Sequence, residues 1–142
     1  MNAAEFKTIR ESLHLSAADC AYLLGIKSDR TIRYWESGDV DVPAGAAKEL
    51  RAIDQAVEAA AGGDISPDDR RLGVSLVRYR SDEEMETAEP GALARFKSAR
   101  VHGAMIARRR RFLRQAGVKV EVEYPGQVGA GLLADKRAAK VT

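Results

Sequence analysis

Two arginines three positions apart, Arg30 and Arg33, follow a turn-and-cap sequence, Gly25-Ile26-Lys27-Ser28. That spacing puts both on one side of a helix. A guanidinium can bond the major-groove edge of guanine through two donors, worth about 1–3 kcal/mol of base discrimination. Around them, the hydroxyls of Ser28 and Thr31, the Tyr34 ring and the Lys27 ammonium suit phosphate oxygens. A denser basic run comes later. Arg108, Arg109, Arg110 and Arg111 are consecutive, within a stretch from Arg95 to Arg114 that holds eight Lys/Arg and no acid. Consecutive helical residues point around the whole circumference, so the run cannot form one stripe. It reads either as a solvated face paired with the acidic segment Asp82–Glu89, or as an extra contact to flanking DNA phosphate or to RNA.

Other chemistry is poorly supplied. The chain has two histidines, His14 and His102, and one cysteine, Cys20, with no ligand neighbours at metal spacing. No metal, cofactor or internal disulfide is expected, and no carboxylate cluster or His–carboxylate pair favours an enzyme. Cys20 reads as a small buried hydrophobe. No apolar run is long enough to span a bilayer and no secretory signal is visible, so a cytoplasmic protein without a membrane partner is expected. The formal net charge of the 142 residues is only +2. It divides unevenly: residues 1–65 balance at −4 and residues 66–142 at +6. An acidic partner would therefore meet a local basic surface.

The elements that must position these residues are mostly helices. Phe6, Ile9 and Leu13 recur at helical spacing over Asn2–Leu15. Ser16, with Asp19 three residues on, opens a second helix, Ala17–Leu24, which Gly25 stops. Ser28 caps a third, Asp29–Ser37. There Ile32, Trp35 and Glu36 face inward, Trp35 as core and Glu36 as a structural acceptor, while Arg30, Arg33 and Tyr34 point elsewhere. Pro43 begins a fourth helix that runs to about Ala61 through Leu50, Ile53 and Val57. Gly62–Pro67 is the best boundary in the chain. Beyond it come a strand, Val74–Arg80, a short acidic helix, Asp82–Ala88, and one long helix, Ala94–Ala116. Phe96, Ala99, Gly103, Ile106 and Leu113 lie on one side of that helix. A second strand, Val118–Tyr124, follows, with Val118, Val120, Val122 and Tyr124 on one face. Its free edge could pair with a second subunit. The remainder reads as a flexible tail.

Two short helices joined by a tight turn, with one helix before and one after, form the layout of a helix-turn-helix. The segment LHLSAADCAYLLGIKSDRTIRYWESGDVDVP resembles the lambda-repressor-like (Cro/CI, XRE) family. The likeness rests on Ala21, Leu24–Gly25, the Trp35-Glu36-x-Gly38 pattern and Pro43. The spacings Gly25 to Glu36 and Gly38 to Pro43 are each one residue longer than is common in that family. With RYWESG and AAEFKTIRESL, they resemble the anti-CRISPR-associated (Aca) repressor branch. The resemblance implies a small C-terminal dimerisation domain and base reading in the first two turns of the second motif helix, here Arg30 and Arg33.

The expected fold is mostly α with a small α+β part. Residues 1–62 form a helix-turn-helix DNA-binding domain and 63–67 a linker. Residues 68–126 form an α+β dimerisation domain with a short sheet, and 127–142 a tail. The expected function is repression of the chain's own operon, an anti-CRISPR operon by resemblance. It would act as a homodimer on a palindromic double-stranded operator. Lys27, Ser28, Arg30, Thr31, Arg33 and Tyr34 would contact DNA, Arg108–Arg111 would add nucleic-acid contacts, and Val118, Val120, Val122 and Tyr124 would join the subunits. The alternatives are an antitoxin-type repressor that binds a toxin partner, and an RNA-binding translational regulator that uses the arginine cluster.

Overall fold

The computed structural model of the chain describes residues 1–126; the tail expected at 127–142 lies outside them. The order is α1 (Ala3–Ser12), α2 (Ala17–Leu23), α3 (Asp29–Ser37), α4 (Ala44–Ala61), α5 (Pro67–Leu72), β1 (Val74–Val77), α6 (Asp82–Ala88), α7 (Ala92–Phe96), α8 (Ala99–Gln115) and β2 (Val120–Glu123). The fold is thus mostly helical with one small two-stranded sheet.

The first four helices start and stop where local chemistry says they should. Asn2 accepts a hydrogen bond from the Glu5 amide, and Ser16 and Asp19 form a reciprocal capping box on α2. Ser28 accepts from the Arg30 amide at 3.1 Å. Gly38, at φ 85°, ends α3 in a left-handed conformation that a side chain would resist. One apolar cluster joins Phe6, Leu13, Cys20, Ile32, Trp35, Leu50 and Val57 to Tyr79, Met85, Phe96 and Val101. The core therefore continues across the 63–66 connection, with α8 lying along α4.

The second half differs from expectation in three places. Residues 67–72 are helical: Ser66 caps α5, Pro67 occupies its first turn, and Asp68 and Asp69 precede Arg70 and Arg71 in the order a helix dipole favours. The first strand ends at Val77. Tyr79 instead turns inward and donates to Glu89 Oε1 at 2.9 Å. The single long helix is broken in two. Lys97 adopts φ 70°, and Ser98 then caps α8 from an extended conformation. The Asp82 carboxylate accepts from the Ala99 amide at 2.7 Å, which fixes the new start.

β1 and β2 pair in parallel, Val74 with Val120 through Val77 with Glu123. Parallel pairing needs a long crossover, and α6–α8 supply it. Val74, Leu113 and Val118 form a second small cluster beneath the sheet. Gly103 on α8 lies so close to the Arg78 guanidinium that a Cβ there would come within 3.2 Å of it.

His102 is 2% exposed and lies between the Tyr79 and Phe96 rings, with centroids at 5.0 and 5.2 Å. Burial holds its pKa below the ordinary 6.5, Arg78 adds to this, and Glu89 opposes it. The neutral ring is thus the folded form, and the unfolded chain takes up the proton first as pH falls. The stability from His102 is complete above its unfolded pKa and is lost as pH drops from there through the depressed value. We predict that chemical denaturation midpoints fall between pH 7 and 5, and that His102→Gln flattens this slope. A slope unchanged in the variant would remove His102 as its source. His14, whose pKa burial also lowers, leaves a residual dependence.

Candidate nucleic-acid interface

α3 is pinned from behind. Ile32 and Trp35 are buried, and the Trp35 ring meets Phe6 edge-on at 5.6 Å. At the far end of α3, Glu36 takes two hydrogen bonds from Arg10, 2.7 Å from Nε and 2.8 Å from the second guanidinium nitrogen. Arg10 also donates to the Leu15 carbonyl at 2.8 Å, which closes the α1–α2 turn. Both side chains are nearly enclosed, 12% and 8% exposed. The hydrogen bond to Glu36 raises the already high pKa of Arg10, so the guanidinium stays charged. The α2–α3 turn is held by Gly25 at φ 68° and by the Ile26 amide, which donates to the Ala21 carbonyl at 2.8 Å.

The outer face of α3 is free of core contacts. Arg30 Nε donates to the Tyr34 hydroxyl at 2.9 Å, and its guanidinium lies 5.4 Å from that ring's centre. Arg33 pairs with Asp29 at 3.0 Å, one turn back, on the exposed surface. Lys27 and Ser28 are exposed and Thr31 is half-buried. The six residues read from the sequence are therefore brought together on one exposed surface, the turn and the first two turns of α3. Val40, half exposed, lies just beyond Gly38 in the loop after α3. Its type gave the sequence no reason to single it out.

The arginine run divides. Arg108 bonds Asp54 at 3.0 Å, Ser12 Oγ at 2.9 Å and the Glu58 carboxylate. Arg109 donates to the Ala61, Gly63 and Asp64 carbonyls, which closes the C-terminal end of α4. Arg110 and Arg111 are exposed, as is Arg114, and none of the three makes an ion pair among the described residues. The partner acids lie on α4 and not on Asp82–Glu89. Cys20 is fully buried, and desolvation pushes its thiol up to about 11.

The four residues expected at a subunit contact also divide. Val118 is buried and Val120 half-buried against the cluster under the sheet. Val122 and Tyr124 are exposed, while Glu123 between them is buried. Arg80 lies over the Tyr124 ring at 4.3 Å.

Among the described residues, α3 is a helix pinned on one side whose arginines are left outward, as a small nucleic-acid-binding regulator requires. More particularly, the chain belongs to the Aca2/YdiL-like family, whose model matches residues 1–96. That membership agrees with the anti-CRISPR-associated branch reached from the two lengthened spacings with RYWESG and AAEFKTIRESL, and it points to a regulatory role. No curated protein matches the chain. Among the described residues, no helix is long and apolar enough to cross a membrane.

Removing one partner of an enclosed ion pair leaves the other charge buried and uncompensated. Arg10→Met should cost roughly 3–5 kcal/mol in urea unfolding, and Arg10→Met/Glu36→Leu should recover most of it. A single variant within about 0.5 kcal/mol of wild type would show that the pair does not hold α3.

Proposed function

We propose that this chain is a sequence-specific transcriptional repressor that acts in the cytoplasm on double-stranded DNA as a homodimer. α2 and α3 would work as a helix-turn-helix, with α3 in the major groove and α2 crossing the phosphate backbone. The observation that carries this reading is the division of labour on α3. Ile32, Trp35 and Glu36 hold the helix, and Arg30 and Arg33 are left outward in its first two turns. Arg30 is held by Tyr34 before binding, so less side-chain freedom is lost when it meets guanine. Arg33 would exchange its exposed contact with Asp29 for a base edge, a small loss because surface pairs are weak. Lys27, Ser28, Thr31 and Tyr34 would fix register on phosphates.

Two copies joined through the β2 side would place two α3 helices on half-sites of an inverted repeat. Those half-sites would lie about 34 Å apart, or a multiple of it. Repression would follow from occupancy of a promoter, with no chemistry on the DNA. The chain's own operon is the natural target, and family membership makes an anti-CRISPR operon the first setting to examine.

A second reading has its own observation. Arg110, Arg111 and Arg114 are exposed and unpaired among the described residues, and they form a basic surface on a different helix from α3. RNA binding there would add translational control.

The test is a gel-shift titration on DNA upstream of the chain's own gene. Arg30→Ala and Arg33→Ala should each weaken operator binding by roughly 5- to 150-fold, the range set by about 1–3 kcal/mol per bidentate contact. Each should leave binding to a scrambled duplex nearly unchanged. Binding that is sequence-blind and survives both substitutions would sink the repressor reading. For the second reading, Arg110→Gln/Arg111→Gln/Arg114→Gln should lower affinity for the operon's transcript and spare operator DNA. Equal transcript affinity in wild type and triple variant would dismiss it.

A further inference from the structure

The second half of the chain brings two cations to the flank of α2. Arg100, in the first turn of α8, lies 3.3 Å from the Asp19 carboxylate, and its side chain is 67% exposed. Asp19 is the third residue of α2 and completes its capping box, accepting from the Ser16 amide. Arg100 therefore stands beside the first turn of α2. Lys97, exposed at the α7–α8 junction, lines the same shallow cavity of about 150 Å³ as Asp19, Arg100 and the outward-standing Tyr22, which is 85% exposed. Two carboxylates share this cavity and both are engaged. Asp19 holds Arg100 and its own cap, and Asp82 accepts from the Ala99 amide. The cationic heads face solvent.

We propose that Lys97 and Arg100 form a second contact to the phosphate backbone of the operator. The inference rests on the DNA-binding reading above. When α3 occupies the major groove, the first helix of the pair crosses the backbone, and the flank of α2 beside its first turn is where that backbone runs. Asp19 alone would repel a phosphate there. Arg100 offsets that charge and leaves donors directed outward, and Lys97 offsets Asp82, so the four charges of the cavity balance and the two cations are the groups free to meet a phosphate. Binding at this flank carries no sequence information, because phosphates are the same at every base pair. It adds affinity and makes the second half of the chain part of the DNA footprint.

The experiment uses the full chain, the upstream operator duplex and a scrambled duplex of equal length, each titrated at several salt concentrations. The double variant is Lys97→Gly/Arg100→Gln. Glycine suits the left-handed backbone at position 97, so the fold should be kept, which thermal melting checks. Binding to both duplexes should weaken by a similar factor, about tenfold. The operator-to-scrambled ratio should stay constant, and the slope of log affinity against log salt should become shallower by about 2, near one per phosphate contact. An unchanged slope and affinity, in a chain that still loses operator binding on Arg30→Ala, overturns this proposal and leaves the repressor reading standing. Selective loss on the operator alone, or a loss confined to RNA, also overturns it. Wild-type protein that binds neither duplex overturns both readings together.

Discussion

The two-pronged contact between Arg10 and Glu36 is the constraint on which the rest of the presented surface depends. A helix of nine residues is too short to hold its own shape in water. It needs tertiary contacts along one face, and here that face has only Ile32, Trp35 and Glu36 to offer. Ile32 and Trp35 supply burial, which is strong but not directional. The Arg10 fork supplies direction, because planar guanidinium and carboxylate meet well in few orientations. The same arginine takes the Leu15 carbonyl, so a single side chain ties α1, the turn into α2 and the last turn of α3. Arg30 and Arg33 inherit their placement from it.

α8 obeys the same economy. Four arginines in succession would repel one another if all pointed to one side. The helical period instead sends Arg108 to the acids of α4 and Arg109 to the Ala61 carbonyl at the end of α4 and to carbonyls of the connection just beyond it. Arg110 and Arg111 go to water. Arg108 and Arg109 thus fasten the second half of the chain to the first. The buried cluster running from Phe6 to Val101 strengthens that attachment. α3 and the α7–α8 junction thus share one buried cluster.

Much of the first half was legible because its signals are local. Ser16, Ser28, Gly25, Gly38 and Pro43 mark helix ends within a few residues of their effect, and the period of Phe6, Ile32, Trp35 and Leu50 marks the buried faces. What was not legible depends on distant partners. The break at Lys97 follows from Asp82 capping Ala99 from seventeen positions away, so a continuous helical pattern misled. Arg10 and Glu36 are twenty-six positions apart, and Glu36 could be read as a structural acceptor without its donor being known. α5 carried all its signals in plain view, Ser66, Pro67, Asp68 and Arg71. Pro67 counted there as a break, when it is also a favoured first helical residue. The parallel pairing of the strands had no local signature at all.

The sheet shows how alternation can mislead about partners. Val118, Val120, Val122 and Tyr124 form one regular series, and a regular series invites one role. The described residues split it. The first two close the small cluster with Val74 and Leu113, and the last two reach past that cluster into solvent. A parallel two-stranded sheet is seldom stable with a face uncovered. Here one face rests on α8, and the partly exposed apolar groups are Val122 in β2 and, just after the strand, Tyr124 beneath Arg80. The proposed second copy therefore has a narrow place to attach, at the C-terminal end of β2. A contact there would cover apolar surface without competing with the helices that hold α3.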